Sequence, residues 1–206
     1  MKIIGITGPT GAGKSLLSDY MRKKGIPVID ADEVYHSLIV PPSSCLDALR
    51  AAFGDVVFSE DGGLDRQALS KIVFNDKEKL QLLNDTVLGF VLDQAREMLD
   101  GYEAEGYSLA AVDAPTLIES GFDRECHAVV SVLSAPEIRV NRIMERDCID
   151  RDAAEMRVRA QREDSFYTEH SDIVLENDGG ESEFYKKCEK LLKELKERSR
   201  EGKDNA

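Results

Sequence analysis

A glycine-rich segment near the start of the chain has the residue types and spacing needed to bind phosphate. Residues 8–15 read Gly-Pro-Thr-Gly-Ala-Gly-Lys-Ser, which matches the pattern G-x-x-x-x-G-K-[ST]. Glycines leave the backbone N–H groups of a tight turn unobstructed, so these groups can surround a polyphosphate. We expect Lys14 to reach the β- and γ-phosphates of ATP and to act in catalysis, and the Ser15 hydroxyl to bind Mg²⁺.

This segment, residues 8–15, is called the phosphate loop below. It follows the apolar run Ile3–Ile6 and precedes a helical pattern, as the motif requires. The alternative is an ordinary glycine-rich turn between a strand and a helix. The residues predicted to contact the nucleotide here are Gly11, Ala12, Gly13, Lys14, Ser15 and Leu16.

Acids follow two other apolar runs, at the carboxyl ends of strands where ligands of doubly wound sheets gather. Asp30 and Asp32 come after residues 27–29. A carboxylate there can orient an attacking hydroxyl group and accept its proton, and we assign this catalytic role to Asp32. Asp30 is placed to cap the next helix, and the alternative is that both acids are caps.

Asp113 ends residues 110–113 like a Walker-B acid and is the predicted metal ligand beside Ser15, with Glu119 a weaker candidate.

Arginines are concentrated in residues 139–162, which hold seven of the chain's fourteen arginines and no lysine. Guanidinium groups bind phosphate oxygens through paired hydrogen bonds, so this segment is predicted to be a helical lid over the γ-phosphate. Arg146, also a catalytic candidate, and Arg157 are assigned to the nucleotide. Ordinary pairing with neighbouring acids on the helix surface is expected for four others, which are Arg139, Arg151, Arg159 and Arg162.

A last candidate lies near the end of the chain, where an apolar run leads into residues 176–180, Glu-Asn-Asp-Gly-Gly. The amide of Asn177 has both a donor and an acceptor, which suits an adenine edge. The alternative is a simple turn, because Asn, Asp and Gly favour turns.

These side chains need a scaffold, and the apolar pattern predicts one. Five β-rich runs, residues 3–6, 26–29, 109–112, 128–133 and 172–175, alternate with helical patterns. This order is typical of an α/β fold with a doubly wound, parallel five-stranded sheet. Residues 34–105 are instead predicted to be a helical insertion, with helices over 46–53, 66–74, 78–87 and 90–99 and a hairpin at 60–63. The core would comprise residues 1–33 and 106–200, including a helix over 184–200, and a frayed tail would follow at 201–206.

Composition excludes several classes of protein. The net charge of −13 argues against general binding to nucleic acid or anionic membranes. The chain has no apolar run of membrane-spanning length and no signal-peptide pattern, and its four cysteines are widely spaced. We therefore expect a cytoplasmic protein with free thiols. The sequence does not indicate an oligomeric state.

Together these motifs resemble the dephospho-coenzyme A kinase family over nearly the whole chain. The similarity includes the phosphate loop, residues 28–32, Leu64-Asp65-Arg66, residues 112–115, Arg146-Asp147, Arg157 and residues 177–179. The resemblance implies transfer of the γ-phosphoryl group of ATP, with Mg²⁺, to the ribose 3′-hydroxyl of dephospho-coenzyme A. It also implies that Asp32 is the catalytic carboxylate, that Arg146 and Arg157 belong to the lid, that Asn177 lies near the adenine and that residues 34–105 accept dephospho-coenzyme A.

Two alternatives remain open at this point. Leu88-Gly89 stands where family members commonly carry His-Pro. This departure motivates the first alternative, a binding module that takes up ATP without transferring phosphate. A kinase that acts on another small nucleotide or nucleoside is the second alternative.

Overall fold

A five-stranded sheet forms the centre of the fold in the computed structural model, which describes residues 1–59, 61–73 and 76–201. The strands are β1 (Lys2–Thr7), β2 (Val28–Asp30), β3 (Leu109–Asp113), β4 (Ala128–Leu133) and β5 (Ile173–Glu176). Their order is β2-β3-β1-β4-β5. β1 pairs in parallel with β3 and with β4, and β4 pairs in parallel with β5. The predicted parallel α/β fold is confirmed, and each strand begins and ends within two residues of its predicted limits.

Helices connect these strands. They are α1 (Lys14–Lys23), α2 (Ala31–Leu38), α3 (Ser44–Phe53), α4 (Arg66–Val73), α5 (Lys77–Ala104), α6 (Pro136–Asp147), α7 (Arg151–Arg159), α8 (Asp164–Glu169) and α9 (Glu181–Glu201), with short 3₁₀ turns at Asp55–Val57 and Phe122–Glu125. β1 lies between β3 and β4, so the chain leaves it first toward one edge of the sheet and later toward the other. The carboxyl end of such a strand is the switch point where ligands of open α/β sheets bind. The phosphate loop begins there.

The chain divides into two compact units. The first, called the core unit, comprises Met1–Val28 and Gly106–Ala206. On one face of its sheet, Ile4 and Ile6 belong to a buried cluster with Leu17 of α1 and Phe184 of α9. On the other face a Cβ at Gly5 would come within 2.5 Å of the Leu117 side chain. The alternation of side chains along β1 thus lets helical and loop segments pack closely on both faces.

The second unit, called the helical unit, comprises Ile29–Glu105. Its helix α5 runs without a break through two segments that the sequence analysis separated at Leu88-Gly89. Leu83, Val87 and Phe90 keep helical spacing across this point and pack on the buried side chains of α3. Burial of this continuous apolar stripe outweighs the cost of one glycine in a helix, which is about 1 kcal/mol.

Some predictions fall on residues at the edge of the described ranges. Phe58 and Leu64 form an antiparallel bridge around the predicted hairpin, whose Glu60 lies outside the described residues. Phe74, the predicted end of a helix, and most of the predicted tail, residues 202–206, also lie outside them. None of the helices in the described part of the chain combines the length and the apolar character that a membrane span requires. The four cysteines are free thiols.

Candidate active site

The phosphate loop turns through three glycines with positive φ. The φ angles of Gly8, Gly11 and Gly13 are 135°, 77° and 99°, a region that residues with a Cβ rarely adopt. A Cβ at Gly8 would collide with the Val132 carbonyl group, and one at Gly11 would lie 2.9 Å from the Arg139 carbonyl oxygen. β4 and α6 therefore approach the loop so closely that the backbone itself forms its surface.

The N-terminus of α1 continues the phosphate loop. Gly13 is its N-cap, no side chain caps it, and its first turn contains no acidic residue. An uncapped helix N-terminus carries partial positive charge and outward N–H groups, which suit a phosphate. Lys14 Nζ donates to the Gly8 carbonyl oxygen at 2.9 Å, so the ammonium group lies at the loop. Ser15 is exposed.

Two arginines of α6 bind carbonyl oxygens of the phosphate loop. Arg139 donates from Nε to the Thr10 carbonyl oxygen at 3.0 Å. Arg142 Nη1 lies 3.3 Å from the carbonyl oxygens of Gly11 and Ala12. In a trans peptide the following N–H points away from the carbonyl group. The carbonyl contacts of Thr10 and Ala12 therefore direct the N–H groups of Gly11 and Gly13 away from α6.

The predicted surface pairing of Arg139 is wrong. Its side chain is only 3% exposed and lies between α6 and the loop, with Nη1 3.7 Å from Asp164 Oδ1. Burial lowers the pKa of Arg139, while Asp164 acts in the opposite direction; an arginine nevertheless stays protonated. No role was predicted for Arg142, although the three-residue spacing of Arg139 and Arg142 places both on one face of α6.

Asn177 supports the same loop from the end of β5. Its side chain is buried, and Nδ2 donates to the Ala12 carbonyl oxygen at 2.8 Å. The backbone carbonyl oxygen of Asn177 accepts a hydrogen bond from Arg142 Nη2 at 2.9 Å. A Cβ at Gly13 would collide with Nδ2, so the glycine and the amide fit only together. The structure thus gives Asn177 a contact with the loop, and its predicted contact with adenine stays a prediction.

The two predicted lid arginines converge on one carboxylate. Arg146, at the end of α6, binds Asp147 through Nε at 2.7 Å and through Nη2 at 3.0 Å, and Arg157 of α7 binds the same carboxylate. The hydrogen bond from Arg146, followed by the charges of both arginines, lowers the pKa of Asp147. Both guanidinium groups are more than half exposed. They are charged, accessible and held together, as a phosphate clamp requires.

Ion pairs engage three of the remaining arginines. Arg151 and Arg159 each pair with Glu155 one helical turn away, at 3.7 and 2.8 Å, which confirms the predicted pairing. Arg162 Nε lies 3.7 Å from Glu119 Oε1, so the weaker acid candidate is engaged by an arginine.

Asp113 ends β3 in a buried position, where it accepts a hydrogen bond of 2.6 Å from Ser18 Oγ of α1. Ser15 lies one turn earlier on α1, at the end of the phosphate loop. A hydroxyl and a carboxylate oxygen are ligands of the hard type that Mg²⁺ prefers. The chemistry of these two side chains therefore fits Mg²⁺, and the metal role of Asp113 stays a prediction.

The carboxylates of Asp30 and Asp32, both in the helical unit, differ in their hydrogen bonds and exposure. Asp30 Oδ1 accepts from the backbone N–H groups of Asp32 and Glu33 at 2.9 and 3.2 Å, which confirms Asp30 as the cap of α2. The side chain of Asp32 is exposed in the first turn of this helix. Asp32 is thus the member of the pair whose carboxylate is not needed for the cap, as the catalytic prediction requires.

Comparison with known proteins shows the family of the chain. A family model described as dephospho-CoA kinase matches residues 2–183. A dephospho-CoA kinase from Fusobacterium nucleatum is 34% identical, with 94% of this chain and 98% of the relative aligned. One from Shouchella clausii is 33% identical, with 89% and 93% aligned. The structure of a dephospho-CoA kinase from Campylobacter jejuni shares the fold, with a TM-score of 0.72, 23% identity and coverage of 97% and 100%. The chain belongs to the dephospho-CoA kinase family.

Proposed function

We propose that this protein transfers the γ-phosphoryl group of ATP to the ribose 3′-hydroxyl of dephospho-coenzyme A, the last step of coenzyme A synthesis. The observation that carries the proposal is the phosphate loop and its support: Arg139, Arg142 and Asn177 bind the carbonyl oxygens of the loop. The chain also belongs to the dephospho-CoA kinase family. The products are coenzyme A and ADP.

The core unit binds ATP in this proposal. The N–H groups of the phosphate loop and the N-terminus of α1 surround the β- and γ-phosphates, and Lys14 moves its Nζ from the Gly8 carbonyl oxygen to these phosphates. Arg146 and Arg157 exchange the Asp147 carboxylate for phosphate oxygens when the lid closes, which stabilises charge during transfer. Ser15 and Asp113 would hold Mg²⁺, which neutralises negative charge on the phosphates when bound.

The helical unit binds dephospho-coenzyme A, and Asp32 orients the 3′-hydroxyl group. The hydroxyl oxygen forms a bond to the γ-phosphorus while the bond from that phosphorus to the β,γ-bridging oxygen breaks. The hydroxyl proton passes to the Asp32 carboxylate and ADP leaves. We place this reaction in the cytoplasm, which the free thiols support.

Replacement of Asp32 by Asn tests the assigned base. We expect kcat for coenzyme A formation to fall by about 10²–10⁴-fold, the usual contribution of a general base. The KM for ATP should change little, because Asp32 contacts the acceptor. Product formation from Mg-ATP and dephospho-coenzyme A, followed by chromatography, gives both constants.

Glu33→Gln, an exposed neighbour on α2, is the matched control and should keep wild-type activity. Full turnover by Asp32→Asn would remove the base assignment. A folded wild-type protein that binds ATP but forms no coenzyme A would overturn the proposed reaction, and transfer to other nucleosides alone would indicate a different acceptor.

A further inference from the structure

An arginine and a histidine of the helical unit form a pair that has no role in the proposed phosphoryl transfer. Arg66, the first residue of α4, lies with Nη2 2.8 Å from His36 Nδ1 of α2. Both side chains are exposed. Tyr35 packs its ring 5.6 Å from the His36 ring, so the imidazole is supported on one side by an aromatic residue.

The choice of partner makes Arg66 unusual in this unit. The other two arginines of residues 29–105 bind carboxylates: Arg50 binds Asp55 at 2.7 Å and Arg96 binds Asp93 at 2.8 Å. The carboxylate beside Arg66 in the sequence, Asp65, is engaged elsewhere, because its Oδ1 accepts from the N–H groups of Gln67 and Ala68. Arg66 therefore brings a positive charge to an imidazole in a chain whose net charge is −13.

The contact between Arg66 and His36 uses only part of the hydrogen-bonding capacity of the pair. A guanidinium group has only donors, so His36 Nδ1 must be the acceptor and the neutral ring carries its proton on Nε2. Arg66 uses one of its five N–H donors in this contact. The remaining guanidinium N–H groups and the His36 Nε2–H form a set of donors with a positive charge, which matches an anion and in particular a phosphate.

The position of this pair relates it to Asp32. Residues four apart on a helix lie on the same face, with Cβ atoms about 5–6 Å apart, and Asp32 and His36 are four apart on α2. In dephospho-coenzyme A, one ribose ring and its 5′ carbon and oxygen separate the 3′-hydroxyl from the first phosphate. If Asp32 holds the hydroxyl, this phosphate lies about one helical turn away, where His36 and Arg66 present their donors.

We propose that Arg66 and His36 bind the 5′-diphosphate of the acceptor, and that they select acceptors carrying a 5′-phosphate over unphosphorylated nucleosides. This inference rests on the proposed function and adds the site that recognises the acceptor's charge. Arg66 and His36 set acceptor affinity and position, while the phosphoryl transfer itself uses other residues.

Acceptor binding by Arg66→Ala tests this site. Dephospho-coenzyme A and adenosine are titrated calorimetrically into protein saturated with a non-hydrolysable ATP analogue and Mg²⁺, so that the phosphate loop is occupied. Loss of a hydrogen bond to a charged group corresponds to a weakening of about tenfold or more. We expect this weakening for dephospho-coenzyme A and no change for adenosine, which lacks the diphosphate. His36→Ala should act in the same direction, and Arg66→Lys should restore part of the affinity.

Arg96→Ala, an exposed arginine of the same unit that pairs with Asp93, is the matched control and should leave both affinities unchanged. An equal loss of affinity for both acceptors, or no loss for dephospho-coenzyme A, would overturn the inference. Because binding is measured without turnover, a wild-type protein that binds dephospho-coenzyme A but forms no product would contradict the proposed reaction and leave this test valid. Melting temperatures of the variants exclude unfolding as the cause.

Discussion

Asn177 lies at the end of β5, yet its amide acts on a loop that is far away in the sequence. Nδ2 binds the Ala12 carbonyl oxygen, while Oδ1 is buried and has no hydrogen-bond partner among the described residues. Together with Arg139 and Arg142, it binds the carbonyl side of the phosphate loop. At the residue scale, we therefore expect affinity for the triphosphate to depend on side chains that support the loop without touching the nucleotide.

Asn177→Ala should weaken ATP binding through this support. The Ala12 carbonyl group loses a buried donor, so we expect the free energy of unfolding to fall by about 1–3 kcal/mol and the KM for ATP to rise. The KM for dephospho-coenzyme A should stay near the wild-type value. Steady-state kinetics and urea unfolding measure the two effects, and Asn141→Ala on the exposed side of α6 is the control. A loss of stability with an unchanged KM for ATP would show that Asn177 has no role in ordering the loop.

At the element scale, α6 and α7 are joined in two ways. Val140 and Ile143 of α6 pack against Ala154 of α7 in a small buried cluster. Asp147, the last residue of α6, adds ionic contacts to Arg146 and to Arg157 of α7. The apolar cluster holds the two helices together independently of Asp147, so we expect them to stay packed when Arg146 and Arg157 exchange Asp147 for phosphate in the proposed reaction.

The contribution of Asp147 should depend on pH in a defined direction. The pKa of Asp147 is lowered in the folded protein, so its stabilising contribution is present above the unfolded pKa of about 3.9. It should disappear as the pH falls from there through the folded pKa. Urea unfolding of wild type and Asp147→Asn at several pH values should show a difference at pH 7 that shrinks at acid pH.

Asp152→Asn, an exposed acid on α7, is the control for this experiment. A difference between wild type and Asp147→Asn that grows as the pH falls would contradict the assigned role of the carboxylate.

At the scale of the whole molecule, the two compact units correspond to two different substrates in the proposed reaction. The core unit contains the phosphate loop, α1, Asp113 and the predicted lid helices α6 and α7. Asp32, His36 and Arg66 belong to the helical unit. The binding of donor and acceptor should therefore be separable by substitution.

Lys14→Ala should separate the two binding events. A ligand that binds only the folded state stabilises it, by about 2.7 kcal/mol at a concentration of 100 times its Kd. In differential scanning calorimetry, we expect Lys14→Ala to lose most of the increase in melting temperature caused by an ATP analogue with Mg²⁺. It should keep the increase caused by dephospho-coenzyme A. Loss of both increases would indicate that the acceptor also depends on the phosphate loop.

Features that depend on short spacings could be predicted from the residues alone. The phosphate loop, the cap at Asp30 and the alternation of strands and helices are encoded within a few residues, because φ preferences, capping and apolar periodicity act locally. These features were sufficient for the fold and for the class of ligand.

The side chains that support the loop became known from the folded chain and could not be predicted from local patterns. Arg139 is 129 residues from Thr10 and Asn177 is 165 residues from Ala12, and no local pattern encodes such contacts. The Arg66–His36 pair and the uninterrupted helix α5 likewise depend on which helices pack together in the helical unit. Long-range packing sets these contacts because burial and hydrogen bonding act between residues that folding brings together, whatever their distance along the chain.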